Sequence, residues 1–392
     1  MAFDLSAIQA ALRDEQLDGW LLYDFHGSNP IARRVAGLDG GAKLTTRRWY
    51  YLVPADGAPR ALVHGIERDS LAHLPGDRQI YAGRAELETG LATLLRGVRR
   101  VAMEYSPNGS IPYIARVDAG TIDRVRALGA EVVSSGDLAQ RFEAVWDDAA
   151  LATHRAASEH LYAIKDRAFD MVRNGARDGS LNEYSVQQAM VGWFAEAGLV
   201  TDCPPVVAAQ ASSGNAHYLP TAESHRPIGA DMVVLLDLWG KLDRPGAVYA
   251  DITWVGYTAA GVPPAVAERF AAARDAREAA VALVTERAAT GAPLAGWEVD
   301  RAAREVIDSA GWGASFIHRT GHSLGEEVHG NGVHMDDYET HDERRLLPGT
   351  GFTIEPGIYR EDFGVRTEIN MYVGRESAEV TGPRQAAVVP LA

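Results

Sequence analysis

Two aspartates, Asp237 and Asp251, lie in apolar surroundings where a solvated carboxylate is not expected. Residues 233–236 form a continuous apolar run typical of a buried strand, and Asp237 follows it directly. Residues 240–246 contain two glycines and a proline, so they predict a turn into a second strand over residues 248–257, which brings Asp251 beside Asp237. Because two carboxylates at close range repel each other, the pair must share a proton or bind a cation. A divalent metal ion is the simpler solution.

A second acidic pair has a similar layout. Residues 351–359 and 364–373 predict another strand pair, with Glu355 in one strand and Glu368 in the other. The spacing between the two glutamates is nearly that between the two aspartates, so each half of this region contributes one acidic hairpin. The chain has 53 acidic residues, most of which must be solvated, but four at matched positions in apolar runs fit that explanation poorly. Four acids can therefore face one cavity.

Strand alternation predicts which neighbours share the acidic face. Successive side chains of a strand point to opposite faces, which places Arg366 and Asn370 on the same face as Glu368. The same rule places Thr253 beside Asp251. The apolar residues between them can pack while this polar face serves a site.

Histidines complete the set of candidate ligands. His322 lies in GHSLG, where flanking glycines allow a close backbone approach, and His329 follows in VHG. His217 lies in a short polar loop, SSGNAHYLP. Imidazole nitrogens combined with carboxylates are typical ligands of dinuclear Mn, Co, Fe or Zn sites.

Length and element order predict two domains. In residues 1–148, short strands alternate with helices, which indicates an α/β domain, and residues 37–41 predict a glycine-rich turn. Residues 149–392 form the second domain, whose first helix covers residues 150–173. Ser180 and Glu183 match a capping box at the start of the next helix. The order helix, helix, hairpin then occurs twice, which indicates an internal duplication.

Charge and composition exclude several classes of protein. The formal net charge of −15 argues against nonspecific binding to nucleic acid or to an anionic membrane, since both require a basic face. Cys203 is the only cysteine, so no intrachain disulfide forms. The first twenty residues lack the features of a signal peptide, and no apolar run approaches the ~20 residues that span a bilayer. We therefore expect a cytoplasmic protein.

The order and context of these residues resemble those of the pita-bread metallopeptidases, which include methionine aminopeptidase, aminopeptidase P, prolidase and the metal-free creatinase. The resemblance covers residues 150–392 and rests on LLDLWG, YADIT, GHSLG, TIEPGIY and VRTEI, which contain in order Asp237, Asp251, His322, Glu355 and Glu368. The N-terminal domain is similar to that of the prolidase, aminopeptidase P and creatinase branch. The resemblance implies an α+β fold with a C-terminal pita-bread domain and an N-terminal creatinase-like α/β domain.

The resemblance also implies a role for each of these residues. Asp237 and Asp251 would hold one divalent ion, and Asp251, His322, Glu355 and Glu368 the other, with manganese expected first and zinc or cobalt as alternatives. A water between two such ions loses its proton readily and can attack an amide carbonyl, with Glu355 placed to take the proton. In relatives, two histidines flank the scissile bond; the matching residues here are His217 and His329.

The implied activity is hydrolysis of the Xaa-Pro bond of dipeptides, with an Xaa-Pro aminopeptidase acting on longer peptides as the alternative. A catalytically silent peptide-binding relative and a creatinase are disfavoured because all five ligand positions are filled. A dipeptidase also needs a cation for the substrate carboxylate, for which Arg366 is the first candidate and Arg344 or Arg345 the alternatives. The resemblance further implies a homodimer.

Two departures from the family pattern bear on substrate choice. Trp254 follows the DIT motif where the family has arginine, and residues 331–341 are unusual, adding His334 and His341.

Overall fold

The computed structural model of this chain describes residues 3–38, 45–176 and 179–392. The predicted turn at residues 37–41 lies mostly outside them. The chain divides into two compact units, Met1–Glu143 and Ala144–Ala392, a few residues before the boundary expected from sequence. Among the described helices, none has the length and apolar character needed to cross a bilayer.

The N-terminal unit is a six-stranded sheet with helices on both faces, in the strand order β4-β3-β2-β1-β5-β6. Its strands are β1 (Gly19–Asp24), β2 (Trp49–Pro54), β3 (Arg60–His64), β4 (Asp77–Tyr81), β5 (Arg100–Met103) and β6 (Glu131–Ser134). Its helices are α1 (Leu5–Asp14), α2 (Pro30–Val35), α3 (Arg84–Leu94), α4 (Ala119–Ala127) and α5 (Gly136–Glu143). The predicted α/β alternation is confirmed. Strand β4 was not predicted because it is a largely exposed edge strand without an apolar pattern.

The second unit contains the candidate ligands. Its helices are α6 (Asp148–Gly175), α7 (Glu183–Glu196), α8 (Pro264–Thr290) and α9 (Gly296–Ser309). Its strands are β7 (Leu199–Val200), β8 (Val206–Ala209), β9 (Val233–Leu242), β10 (Ala250–Tyr257), β11 (Ser323–Leu324), β12 (Thr350–Ile354), β13 (Gly357–Tyr359), β14 (Gly364–Arg366), β15 (Ile369–Val373), β16 (Ala378–Val380) and β17 (Val389–Pro390). The predicted mixed helix and strand content of this domain is confirmed.

The aspartate hairpin is formed by β9 and β10, which pair antiparallel. Asp237 is opposite Thr253, and Asp251 is opposite Trp239, so the two aspartates are diagonal neighbours on one face. The other face, which includes Leu236, packs with α6 and α7 in one apolar core. Both faces of β9 are therefore covered, which explains the continuous apolar run that precedes Asp237.

The second acidic pair differs from the continuous hairpin predicted from sequence. Strand β12 pairs with β15 and β13 with β14, and both ladders break at the acids, which leaves Glu355 and Glu368 outside the strands. Pro356 has no N–H to donate at this point. The N–H of Glu355 donates to the carbonyl of Thr320 at 2.7 Å, and that of Glu368 to the carbonyl of Thr253 at 3.2 Å. At the break, the backbone N–H groups of the two glutamates therefore bond to other segments of the chain and not to the partner strand.

The start of α7 corrects the predicted capping box and reveals a further role for Glu183. Asn182 caps the helix, because its side chain accepts from the Ser185 N–H at 2.8 Å and its own N–H donates to the Ser185 hydroxyl. The fully buried Glu183 carboxylate instead accepts from the N–H groups of Ala209 (2.7 Å) and Arg226 (2.6 Å) and from the Tyr218 hydroxyl. One side chain therefore secures both ends of the segment that carries His217.

We expect Glu183→Gln to lower the free energy of unfolding by about 1–3 kcal/mol. The glutamine amide has an NH2 group in place of one carboxylate oxygen, so some of the buried N–H and O–H groups that bond to Glu183 would lose their acceptor. Urea denaturation followed by circular dichroism measures the change. Glu196→Gln, on the exposed end of the same helix, is the matched control and should remain within about 0.5 kcal/mol of the parent. Equal effects of the two substitutions would contradict the anchoring role.

Candidate metal centre

Three of the predicted ligands converge in the interior of the second unit. One donor atom each of Asp251, His322 and Glu368 lies within 4.8 Å of the other two, and all three residues are buried. Glu355 is at the same place, since its Oε1 lies 3.4 Å from Nε2 of His322, which is itself 3.5 Å from Oδ2 of Asp251. Segments far apart in sequence thus bring three carboxylates and one imidazole together.

Asp237 joins this cluster through the hydroxyl of Thr253. That oxygen lies 3.2 Å from Oδ1 of Asp237 and 2.6 Å from Oε2 of Glu368, so one hydroxyl links the two hairpins. Asn370 adds a second link, because its amide group bonds to both the N–H and the carbonyl of Asp251. These contacts follow the alternation predicted from sequence, which placed Thr253 and Asn370 on the acidic face.

His322 is oriented by its backbone and by one ring nitrogen. Its N–H donates to Oγ1 of Thr353 at 2.9 Å, and that hydroxyl contacts Oε1 of Glu355 at 3.2 Å. A Cβ at Gly321 would lie 2.0 Å from the Thr353 carbonyl oxygen, so the close approach requires glycine, as expected. Nδ1 lies 3.3 Å from the carbonyl of Ser323, which favours the tautomer with the proton on Nδ1. Nε2 is then left with a lone pair toward the acids.

The electrostatics of the cluster favour a bound cation. Burial and then the nearby Asp237 and Glu355 carboxylates raise the pKa of Asp251 well above its usual range. Burial and then Asp251 do the same to the pKa of Glu368. Within the residues that the structure describes, the buried Oδ1 of Asp251 has no hydrogen-bond partner. An acceptor-only oxygen among like charges fits a divalent ion, and so does the oxygen and nitrogen donor set.

Arg366 is the counter-charge of the acids. Its guanidinium donates to Oδ2 of Asp237 and, at 2.9 Å, to Oγ1 of Thr253, and its Nε lies 4.0 Å from Oε2 of Glu355. Burial alone would lower the pKa of Arg366, but Asp237 and its other neighbours raise it well above the usual value. The residue is therefore not an isolated cation that waits for a substrate carboxylate.

Arg344 is occupied elsewhere. Its guanidinium binds Asp342 through Nε at 2.9 Å and Nη2 at 2.6 Å, and Nη1 donates to the Asn331 carbonyl at 2.8 Å. Arg344 and Asp342 are both buried. This pairing argues against the substrate-binding role expected for Arg344, because a buried ion pair is costly to break. The neighbouring Arg345 is exposed.

The two histidines expected to act on substrate lie beside the cluster. The ring of His329 has its centroid 4.4 Å from that of His322. Although His329 is exposed, partial desolvation and then the neighbouring His322 lower its pKa to about 3, so it is neutral at pH 7. His217 is also exposed, and its charge contributes to the lowered pKa of His329. His217 is therefore near enough to act electrostatically on His329.

Two further residues at the site were missed in the sequence. The buried Tyr359 hydroxyl lies 2.9 Å from Nε2 of His318 and 3.3 Å from Nη1 of Arg366. Burial raises the pKa of Tyr359 to about 12, so it remains a phenol. Tyr359 stands within the TIEPGIY motif, but only the fold shows that its hydroxyl contacts both Arg366 and His318.

The residues that depart from the family pattern lie outside the ligand cluster. Trp254 points to the opposite face of β10 from Thr253, where the Lys165 ammonium lies 3.9 Å from its ring centroid. His334 is buried, with Nδ1 accepting from the Ser323 N–H at 3.2 Å. His341 is exposed and bonds to Asp337. The expected influence of these residues on substrate choice stays a prediction.

Comparison with known proteins places this centre in a family. The sequence profile of metallopeptidase family M24 matches residues 152–375. An Xaa-Pro dipeptidase of Lactobacillus helveticus is 31% identical over 216 residues, which are 54% of this chain and 52% of that protein. An Xaa-Pro dipeptidase of Lactobacillus delbrueckii subsp. lactis is 31% identical over 224 residues, 55% of this chain and 53% of the relative. The chain thus spans about half the length of the curated relatives it matches.

Solved structures share the fold over nearly the whole chain. The dipeptidase PepE from Mycobacterium ulcerans superposes with a TM-score of 0.68 at 22% identity, covering 99% of this chain and 96% of the other. A prolidase from Thermococcus sibiricus superposes with a TM-score of 0.64 at 20% identity, covering 100% of this chain and 99% of the other. These likenesses show the pita-bread fold, and the family profile extends over more than half of the sequence. This chain belongs to metallopeptidase family M24.

Proposed function

We propose that this chain is a metal-dependent Xaa-Pro dipeptidase. The observation that carries the proposal is the buried convergence of Asp251, His322 and Glu368, with Glu355 in contact, at a place where ionised carboxylates need a cation. The two matched Lactobacillus proteins, both Xaa-Pro dipeptidases, support the choice of substrate. An Xaa-Pro aminopeptidase acting on longer peptides is the alternative within the same family.

The proposal includes two divalent cations, held by Asp237, Asp251, His322, Glu355 and Glu368. Manganese is the first candidate, and zinc and cobalt accept the same donors. When bound, the cations supply an activated water for attack on an amide carbonyl near neutral pH. The hydroxyl of Thr253 orients carboxylates from both hairpins, which keeps the donor atoms in place before any ion arrives.

The remaining chemistry falls to side chains around the cluster. Glu355, which the Thr353 hydroxyl contacts at Oε1, is the proposed proton acceptor. A neutral His329 can donate one hydrogen bond to the oxyanion, and His217 is proposed to assist the leaving nitrogen. A prolyl nitrogen carries no hydrogen in the peptide, so it must gain a proton before it can leave as a stable amine.

We propose that Arg366 binds the substrate carboxylate once a cation has taken over the charge of Asp237. In the described structure Asp237 is its nearest acidic partner, and a metal ion on that carboxylate would weaken the pairing. A homodimer and a cytoplasmic location belong to the same proposal. The dimer rests on the family resemblance, and sedimentation velocity would contradict it by showing a monomer.

We expect hydrolysis of Ala-Pro and Leu-Pro to disappear after chelation and to return when manganese, zinc or cobalt is added. A tripeptide of the form Xaa-Pro-Xaa separates the two alternatives, because a dipeptidase cleaves it poorly. Efficient cleavage of the tripeptide would favour the aminopeptidase. Absence of hydrolysis with every metal would favour a silent peptide-binding relative.

Asp251→Asn should reduce kcat/KM on Ala-Pro at least about 100-fold, since even loss of an outer partner of a metal ligand typically costs 10- to 100-fold. Asp243→Asn, in the exposed turn of the same hairpin, should leave activity and metal content unchanged. Metal-free Asp251→Asn should be no less stable than the metal-free parent, because an ionised Asp251 is disfavoured there. A large loss of stability in the metal-free variant would contradict this account.

His329→Ala should lower kcat by about 10²- to 10⁴-fold while the metal content stays the same, because the residue is proposed to act on substrate and not to bind metal. Steady-state kinetics together with metal analysis measure both quantities. His160→Ala is the control, since that ring lies on the exposed face of α6. Loss of metal from His329→Ala would contradict the proposed role.

Arg366→Ala separates the two roles open to this residue. If Arg366 binds the substrate carboxylate, KM for Ala-Pro should rise at least about tenfold while KM for Ala-Pro amide changes little. If the residue serves only Asp237, kcat should fall equally for both substrates and the metal content should change. The ratio of the two KM values is the measurement that decides.

A further inference from the structure

A cavity of about 340 Å³ lies within the N-terminal unit, apart from the residues of the metal centre. Its walls come from the segment just before β2, the ends of β3 and β4, the start of α3 and the C-terminal half of α4. The charged residues that line it are four arginines, namely Arg47, Arg48, Arg84 and Arg124. None of its lining residues is acidic. In a chain with 53 acidic and 38 basic residues, such a concentration of positive charge needs an explanation.

The arginines of this cavity lack strong partners. In the part of the chain that the structure describes, Arg47, Arg48 and Arg124 form no ion pair, and Arg84 has only an exposed contact with Glu88 at 3.8 Å. Glu67, which is close to Arg47, is engaged by backbone instead, accepting from the N–H groups of Thr46 and Arg47. The Tyr23 side chain, which hydrogen-bonds to Arg48, and the Glu67 carboxylate near Arg47 offset part of this positive charge, but no lining residue of the cavity is acidic.

Aromatic residues hold part of this charge in place. The Arg48 guanidinium carbon lies 5.3 Å from the ring centroid of Phe25, and the Arg48 carbonyl accepts from the Tyr81 hydroxyl at 2.8 Å. His64 packs edge-on against Tyr81, with its Nδ1 accepting from the Ile66 N–H and its Nε2 3.2 Å from the Ala82 carbonyl. These bonds engage both ring nitrogens of His64, which leaves the arginines as the side-chain donors available to a ligand.

The N-terminus of α3 adds little to this charge. The Glu86 carboxylate accepts from the N–H groups of Ala82 at 2.6 Å and Gly83 at 3.2 Å, so the residue caps its own helix. The case for a ligand rests on the cavity and its guanidinium groups.

We propose that this cavity binds a small phosphorylated molecule. Guanidinium groups match phosphate oxygens with paired hydrogen bonds, and four of them favour a dianion over a single carboxylate. The volume is at the lower end of the roughly 300–1,000 Å³ of small-molecule sites, which leaves room beyond the phosphate group. The rings of Phe25 and Tyr81 provide an apolar wall for that remainder. This site is independent of the proposed peptidase activity.

Inorganic phosphate is the probe for calorimetric titration of the metal-loaded full chain at constant ionic strength, with chloride as the balancing anion. The double substitution Arg48→Gln with Arg124→Gln should weaken phosphate binding at least tenfold. Arg96→Gln, an exposed arginine outside the cavity, should change it less than twofold. Phosphate bound at the metal centre contributes equally in all three proteins, because each keeps that centre intact.

Equal phosphate affinity of the double variant and the parent would overturn the proposal, and so would phosphate binding no stronger than that of chloride. The charge-conserving pair Arg48→Lys with Arg124→Lys should retain part of the affinity, since lysine keeps the charge but loses the forked geometry. Glycylproline or free proline would also overturn it by displacing, at lower concentration, the phosphate whose binding depends on Arg48 and Arg124, because the cavity would then serve a carboxylate. An unchanged melting temperature of each variant excludes unfolding as the cause of any loss.

Discussion

The repulsion among buried carboxylates is the constraint on which the second unit depends. Asp251 and Glu368 are removed from water and lie among other acids, and burial and these acids disfavour the ionised form of each. Arg366 supplies one positive charge and Thr253 one hydroxyl, which is too little to neutralise four acids. The fold therefore holds a cluster whose favourable state requires cations, and its hydrogen bonds keep the donor oxygens close together until cations bind.

The two acidic hairpins bring their carboxylates to the centre in different ways, the first by a diagonal register and the second by interrupted strand pairing. In the first, the antiparallel register places Asp237 and Asp251 diagonally on one face while apolar residues fill the other. In the second, the ladders stop at Glu355 and Glu368, whose N–H groups bond to neighbouring segments. At each break the backbone of the glutamate bonds to a neighbouring segment, while the flanking Arg366 and Asn370 remain on the acidic face.

The two units place their charge in opposite ways. The second unit gathers acids around His322 in its interior, whereas the N-terminal unit gathers arginines, among them Arg48 and Arg124, around an open cavity. Buried acids need metal ions because no water can solvate them. Exposed guanidinium groups keep their hydration, and they bind an anion whose oxygens match the geometry of their N–H groups better than water does. The same chain thus has an acidic cluster that suits divalent cations and an arginine-lined cavity that suits an anion.

Much of the chemistry was predictable from sequence, because ligand identity depends on residue type and local context. The four acids were predicted from runs of apolar residues and the spacing within them, and His322 from its flanking glycines, whereas the set of five ligands followed from the family resemblance. Tertiary structure decided which polar groups were free to act. Arg344 is paired with Asp342, Glu183 anchors a distant loop, and Tyr359 contacts Arg366, because the direction of each side chain and the choice of its hydrogen-bond partner are set only when the chain has packed.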